Sequence, residues 1–152
     1  MTQELSDKLE KRFPKILKDV CFECGDGWSN IIYVLCFTIQ NHIKNLNRNL
    51  QENETEYLCQ ATQVKEKFGT LSFYYDGGND YIHGMVSMAT QMSSKTCEVC
   101  GTMDNVGRTR TGWIKVLCQD CYNKSERFHD LEWKVNSTVR LLKLSRLLDA
   151  RR

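Results

Sequence analysis

Two pairs of cysteines, Cys97 with Cys100 and Cys118 with Cys121, stand as C-x2-C-x17-C-x2-C, and no other feature limits the fold of this chain so strongly. Each pair can close a tight knuckle with both sulfurs pointing inward, and the 17 residues between the pairs are enough for an out-and-back β-ribbon. Gly101 follows the first knuckle, where a residue free to take positive φ relieves the turn. The spacing predicts one Zn²⁺ ion held by Cys97, Cys100, Cys118 and Cys121. Four thiolates leave no open position for a catalytic water, so the expected role of the ion is structural. The alternatives are two disulfides, which need an oxidising compartment, a redox C-x-x-C, which usually comes singly beside a βαβ pattern, and plain buried thiols.

A chain of 152 residues buries about 68–70% of its unfolded surface and can hold a core without a metal. Met1 to Lys11 alternate polar and charged types with no apolar stretch, so no secretory signal is expected. The longest apolar run, Ile31 to Phe37, falls well short of the ~20 residues that span a bilayer. These features predict a cytoplasmic chain without membrane partners, in a reducing compartment that suits zinc thiolates. The formal charge of +2 counts every cysteine as neutral; four thiolates and one Zn²⁺ change it by −4 + 2 = −2, so the metallated chain lies near zero. Basic charge is concentrated in the tail, where Lys134, Arg140, Lys143, Arg146, Arg151 and Arg152 face only Asp149.

The apolar periodicity predicts an α+β fold. Leu5, Leu9, Phe13, Ile16, Leu17 and Val20 recur at helical spacing, with Pro14 breaking or restarting the helix. Trp28, Ile31, Ile32, Leu35, Ile39, Ile43 and Leu46 predict a central helix over about 28–47, with Ser29 as its cap. Residues 47–56 are polar and aperiodic, a surface loop. From Tyr57 the pattern turns to strand: Leu71, Phe73 and Tyr75 alternate, Val64 and Phe68 have the other parity, and a hairpin turn or bulge at 68–70 accommodates both. Asp76-Gly77-Gly78 ends the second strand, and Asn79 or Asp80 caps a helix carrying Ile82, Met85, Val86, Ala89 and Met92. After Cys121, Phe128, Leu131, Val135, Val139 and Leu142 predict one long amphipathic helix, wide and leucine-rich enough to pair two copies as a homodimer. The expected organisation is an α+β core over 1–94, with helices on a small antiparallel hairpin, a four-cysteine zinc ribbon over 95–125, and a basic amphipathic helix over 126–152.

Several residues are candidates for binding. Gly25, Asp26, Gly27 and Trp28 precede the central helix, where outward-pointing N–H groups can hold a phosphate or carboxylate; the simpler reading is that the glycines make a turn and Trp28 fills the core, since Asp26 would repel an anion. Lys65 and Lys67 project from one face of a strand and Glu66 from the other, and Thr70, Ser72 and Tyr74 can share the lysine face. Arg108, Arg110, Trp113 and Lys115 lie between the knuckles and suit a nucleic acid or a protein partner alike. Cys21 and Cys24 could join His42 or His83 in a second metal site, but with Cys36 and Cys59 they read more simply as core packing. No nucleophile or acid–base pattern stands out; a nucleotide-cleaving enzyme would need a cleft assembled from residues such as Glu66, Asp76 and Asp80.

The string from Gln63 to Tyr74, Gln-Val-Lys-Glu-Lys-Phe-Gly-Thr-Leu-Ser-Phe-Tyr, followed by the two knuckles and by Gly112-Trp113, resembles a family of small proteins of bacteriophages and prophage-bearing bacteria. The similarity runs from about Gly25 to Cys121 and departs at Thr70 and Ser72, where the pattern carries glycine and arginine. The resemblance implies action early in infection, on host machinery or host defence. The reading that combines both lines is a non-enzymatic, zinc-stabilised protein of the host cytoplasm that captures a host protein or a small anionic signal; a nucleic-acid-binding regulator is the first alternative.

Overall fold

The computed structural model describes residues 1–110, 112–128 and 131–135. Helix α1 spans Gln3–Arg12 and stops two residues before Pro14, whose ring disfavours helical backbone at Phe13. Turns then carry Phe13, Ile16 and Leu17 into the core, and a two-residue strand, β1 (Phe22–Glu23), follows. A single 3-10 turn at Asp26–Trp28 leads into α2, Ser29–Arg48, the central helix. Ser29 does not cap it: the capping position is held by Trp28, and no side chain bonds the free N–H groups there. Ile31, Ile32, Leu35, Cys36 and Ile39 form its buried stripe.

Strands β2 (Cys59–Lys67) and β3 (Thr70–Gly77) make the expected hairpin, with Phe68 and Gly69 at its tip in positive φ. A bulge between Ala61 and Gln63 puts both Ala61 and Val64 on the buried face. From there Val64 opposes Phe73 and Glu66 opposes Leu71 inward, while Lys65 opposes Ser72 and Lys67 opposes Thr70 outward. The sheet is mixed rather than purely antiparallel, because β1 pairs parallel to β2, with Phe22 beside Val64. Two residues of strand leave no periodicity for a sequence to display. Helix α3 spans Asp80–Ser93 and is capped by Asn79, whose side chain accepts from the Ile82 amide. Its last turn is stitched to β3: the Leu71 amide donates to Ser93 Oγ at 2.8 Å and Thr90 Oγ1 donates to the Leu71 carbonyl at 3.0 Å.

The second sheet is the ribbon, ordered β5-β4-β6 from β4 (Val106–Thr109), β5 (Val116–Cys118) and β6 (Trp133–Val135). A short helix, α4 (Gln119–Asn123), follows β5. The long helix expected after Cys121 is corrected here. Glu126–Phe128 is a 3-10 turn and Trp133–Val135 a strand paired with β4, so the ribbon has three strands and extends beyond residue 125. Phe128, Leu131 and Val135 are spaced like a helix, yet the register that puts Trp133 beside Thr109 decides the matter, and the Trp133 indole donates to the Leu117 carbonyl at 3.1 Å. The rest of the expected basic helix, and the pairing of two copies through it, fall on residues 136–152, outside the described residues. No helix among the described residues is long and apolar enough to cross a membrane.

Candidate metal centre and the surface beside it

Cys97, Cys100, Cys118 and Cys121 converge from the two ends of the ribbon until one ligand atom from each lies within 4.8 Å of all the others. The Sγ atoms of Cys100 and Cys118 are 3.7 Å apart. A tetrahedron of sulfurs about 2.3 Å from a central ion has edges of about 3.8 Å, so the cluster fits a tetrathiolate metal site. The knuckles are built by short backbone bonds: the Gly101 amide, at φ +77°, donates to the Cys97 carbonyl, the Cys97 amide to the Thr102 carbonyl, and the Cys121 amide to Cys118 Sγ. As bare thiols Cys97, Cys100 and Cys121 are pulled in different directions. Burial pushes Cys97 up, and burial with the neighbouring thiols pushes Cys121 up. Burial acts upward on Cys100 too, but hydrogen bonds to the Thr102 backbone and to the other cysteines bring it below the usual thiol range. A divalent cation would favour the thiolate form of all four together. The remaining cysteines do not assemble a second centre: Cys24, Cys36 and Cys59 are buried, Cys21 is exposed, and no other metal-ligating cluster exists among the described residues.

The knuckle is docked on the α+β core through the turn before α2. The Gly27 amide donates to the Glu98 carbonyl at 2.9 Å, and the Gly25 amide to Glu98 Oε1 at 3.0 Å. The anion held at this turn is therefore the protein's own Glu98. A Cβ at Gly25 would lie 2.2 Å from the Glu98 carbonyl oxygen, and one at Gly27 2.3 Å from that of Cys97, so both glycines are required by the approach of two backbones. Trp28 is fully buried and its indole donates to the Thr96 carbonyl at 2.9 Å, anchoring the chain just before the first knuckle. Asp26 accepts from the Thr2 amide.

Beneath the ribbon lies a buried charge cluster. Lys115 Nζ sits 2.8 and 2.9 Å from the two Glu98 oxygens and 3.3 Å from Glu66 Oε2, while the two glutamate side chains are only 5% and 4% exposed. Glu66 also accepts from the Gly69 amide at 2.7 Å and from the Trp113 indole at 2.8 Å. Every oxygen of the two carboxylates is thus bonded, and three segments far apart in sequence are locked together. Composition and spacing give no sign of this cluster; a glutamate inside a knuckle, where solvated residues are usual, is the one local clue.

The same lock sets out an exposed surface at the hairpin tip. Phe68 is 70% and Trp113 61% exposed; the Arg108 guanidinium donates to the Phe68 carbonyl, and Lys115 Nζ and Arg127 lie 5.5 and 5.8 Å from the Trp113 ring. Lys67 reaches the Phe68 ring at 5.6 Å. So Lys67 and Arg108 meet at Phe68, Trp113 is tied to the same hairpin through Glu66 on its inner face, Arg110 is exposed with its amide on the Glu132 carbonyl, and Lys65 lies on the outer sheet face over Tyr74. Glu66 and Asp76 do not share a cleft: Glu66 opposes Leu71 by the tip, Asp76 opposes Gln60 at the other end of the hairpin. His42 meets Asn79 and Tyr81, away from the cysteines. No family model, curated protein or solved structure matches the chain.

Proposed function

We propose that this chain is a zinc-stabilised, non-enzymatic binding protein of the phage type, which acts in the host cytoplasm and captures a host defence protein or a small anionic signal. The observation that supports it best is the clasp of hairpin tip and ribbon. Glu66, two residues before the exposed Phe68, holds the Trp113 indole N–H, so an exposed ring is fixed in orientation against the hairpin before any partner arrives. Fixed aromatic side chains bordered by cations are the usual anchors of protein interfaces, because little side-chain entropy is lost on binding. The metal would keep this surface rigid rather than take part in chemistry, since four thiolates close its coordination. Resemblance of the hairpin and knuckle strings to phage and prophage proteins supports the host as the source of the partner. The nucleic-acid reading keeps one supporting feature, a tryptophan flanked by Lys115 and Arg127, but two buried carboxylates directly below oppose a phosphate backbone.

A photo-reactive residue in place of Phe68 tests the proposal in infected or host cells. One host protein should crosslink from position 68 and not from Tyr33 on α2, and Trp113→Ala should abolish the product. If the crosslinked species is nucleic acid, with affinity falling steeply as salt rises, the regulator reading replaces this one. Breakdown of a nucleotide by the purified protein would restore the enzyme.

A further inference from the structure

Along the C-terminal half of α2, a cleft of about 510 Å³ opens between α1, α2 and the segment entering β2. It lies within the size range of small-molecule sites, about 300–1,000 Å³. Its charge is lopsided: Arg12, Lys15 and Lys44 line it against a single carboxylate, Glu56, which lies 3.7 Å from Lys15. Arg12 and Lys44 have no carboxylate partner among the described residues. Buried Ile16, half-buried Ile43 and exposed Leu58 supply apolar lining. Phe37 is 41% exposed, its ring lies parallel to that of Tyr33 with centroids 6.4 Å apart, and the Arg12 guanidinium stands 6.0 Å from its centre. The amides of Gln40 and Asn41 project from the same helix into the wall. The opposite wall is fixed, because the Asn47 side chain accepts from the Tyr57 amide at 2.8 Å and donates to the Tyr57 carbonyl at 3.0 Å.

We propose that this cleft binds a nucleotide, its base stacked on Phe37 against the apolar lining and its phosphate held by Arg12, Lys15 and Lys44. Three features select that class together. Unpaired cations ask for an anion, and guanidinium in particular suits phosphate oxygens. A ring beside an arginine suits a flat aromatic group, which every base supplies. Side-chain amides present both donors and acceptors and can read a base edge, which an inorganic anion lacks. This inference takes up the small-anion arm of the proposed function and places it on other residues than those of the Phe68 and Trp113 surface. No motif in the sequence marks these residues as contacts, because the cleft joins residues that lie tens of positions apart.

Titration calorimetry on the intact, metal-loaded chain tests it, using the four common nucleoside monophosphates, cyclic dinucleotides, the matching nucleosides and inorganic phosphate as probes. At least one nucleotide should bind, its nucleoside and inorganic phosphate each more weakly, and Arg12→Ala and Lys44→Ala should each weaken it roughly tenfold, as loss of a charge-assisted hydrogen bond does. Both side chains are exposed and their removal should leave the thermal melt unchanged. Phe37→Leu should weaken nucleotides and leave phosphate alone. Trp113→Ala should change nothing here, which separates this site from the crosslinking surface. The proposal is overturned if no nucleotide binds, if phosphate alone binds as tightly, or if Trp113→Ala abolishes binding while Arg12→Ala does not. A single-stranded oligonucleotide binding more tightly than any free nucleotide would also overturn it, in favour of a strand-binding groove.

Discussion

The two halves of the molecule use the same side chain in opposite ways. In the α+β core, Cys24, Cys36 and Cys59 sit in apolar surroundings, and burial pushes Cys24 up to about 12, Cys59 up to about 11 and Cys36 up as well. These are thiols that keep their protons and pack as small hydrophobes. In the ribbon, Cys97, Cys100, Cys118 and Cys121 stand close enough to share one ion, which demands that all four lose their protons. The contrast follows from the apolar surface each half can bury. Among the described residues the core gathers nineteen buried apolar side chains around Trp28, Phe13 and Leu17, whereas the ribbon has five, two of which belong to the four-cysteine cluster that could hold a metal. A layer that thin needs a staple.

The sharpest way to break the comparison is to remove the staple. Cys97→Ser, or chelation, should cost the ribbon much of the ~10–16 kcal/mol apparent binding energy typical of structural zinc. Amide exchange should accelerate from residue 97 through the ribbon strands while α2 stays protected; equal loss in both halves would mean that they fold as one unit. Next comes the lock between them. Lys115→Ala leaves Glu66 and Glu98 buried with no cation and should destabilise by about 3–5 kcal/mol in chemical denaturation. Adding Glu98→Gln should recover part of that loss, because one charge fewer is then stranded. A smaller effect is expected at the seam. Gly27→Ala forces a Cβ to within 2.3 Å of the Cys97 carbonyl oxygen, and overpacking of this kind costs about 1–3 kcal/mol. The weakening should appear as a lower melting temperature with the metal still bound.

Alkaline pH should separate the halves by sign. A thiol whose folded pKa lies above the unfolded value holds an extra proton when folded, so its contribution is intact below about 9 and is lost as pH rises towards about 11 for Cys59. The slope is about 1.4 kcal/mol per pH unit for each such thiol, and Cys36→Ala with Cys59→Ala should flatten it in helix melts. The ribbon should respond in the other direction, holding its metal more tightly as pH rises from acid because protons no longer compete for the sulfurs.

Local pattern carried most of the core. The apolar stripe of α2, the Asn79 cap, the hairpin with its tip at Phe68 and Gly69, and the cysteine spacing are all features in which neighbouring residues decide the structure. What escaped is what depends on distant partners. Strand β1 exists only because Phe22 and Glu23 meet Val64 and Lys65, and β6 because Trp133 meets Thr109. Residues 126–135 read as helix since three apolar side chains fall at helical intervals, a pattern that a turn followed by a short strand can share. The Gly25 to Trp28 turn was legible as an anion-ready place, but the carboxylate that fills it stands 73 residues beyond Gly25 along the chain, at Glu98. Arg12 and Phe37 likewise meet only through packing of α1 on α2.

Native mass spectrometry of protein prepared under reducing conditions tests the central claim most directly. The account predicts one zinc ion per chain and all four ribbon cysteines shielded from alkylation, the exposed Cys100 included, with both signals lost in Cys97→Ser. A chain that carries no stoichiometric metal, yet keeps its ribbon amides protected from exchange, would contradict it.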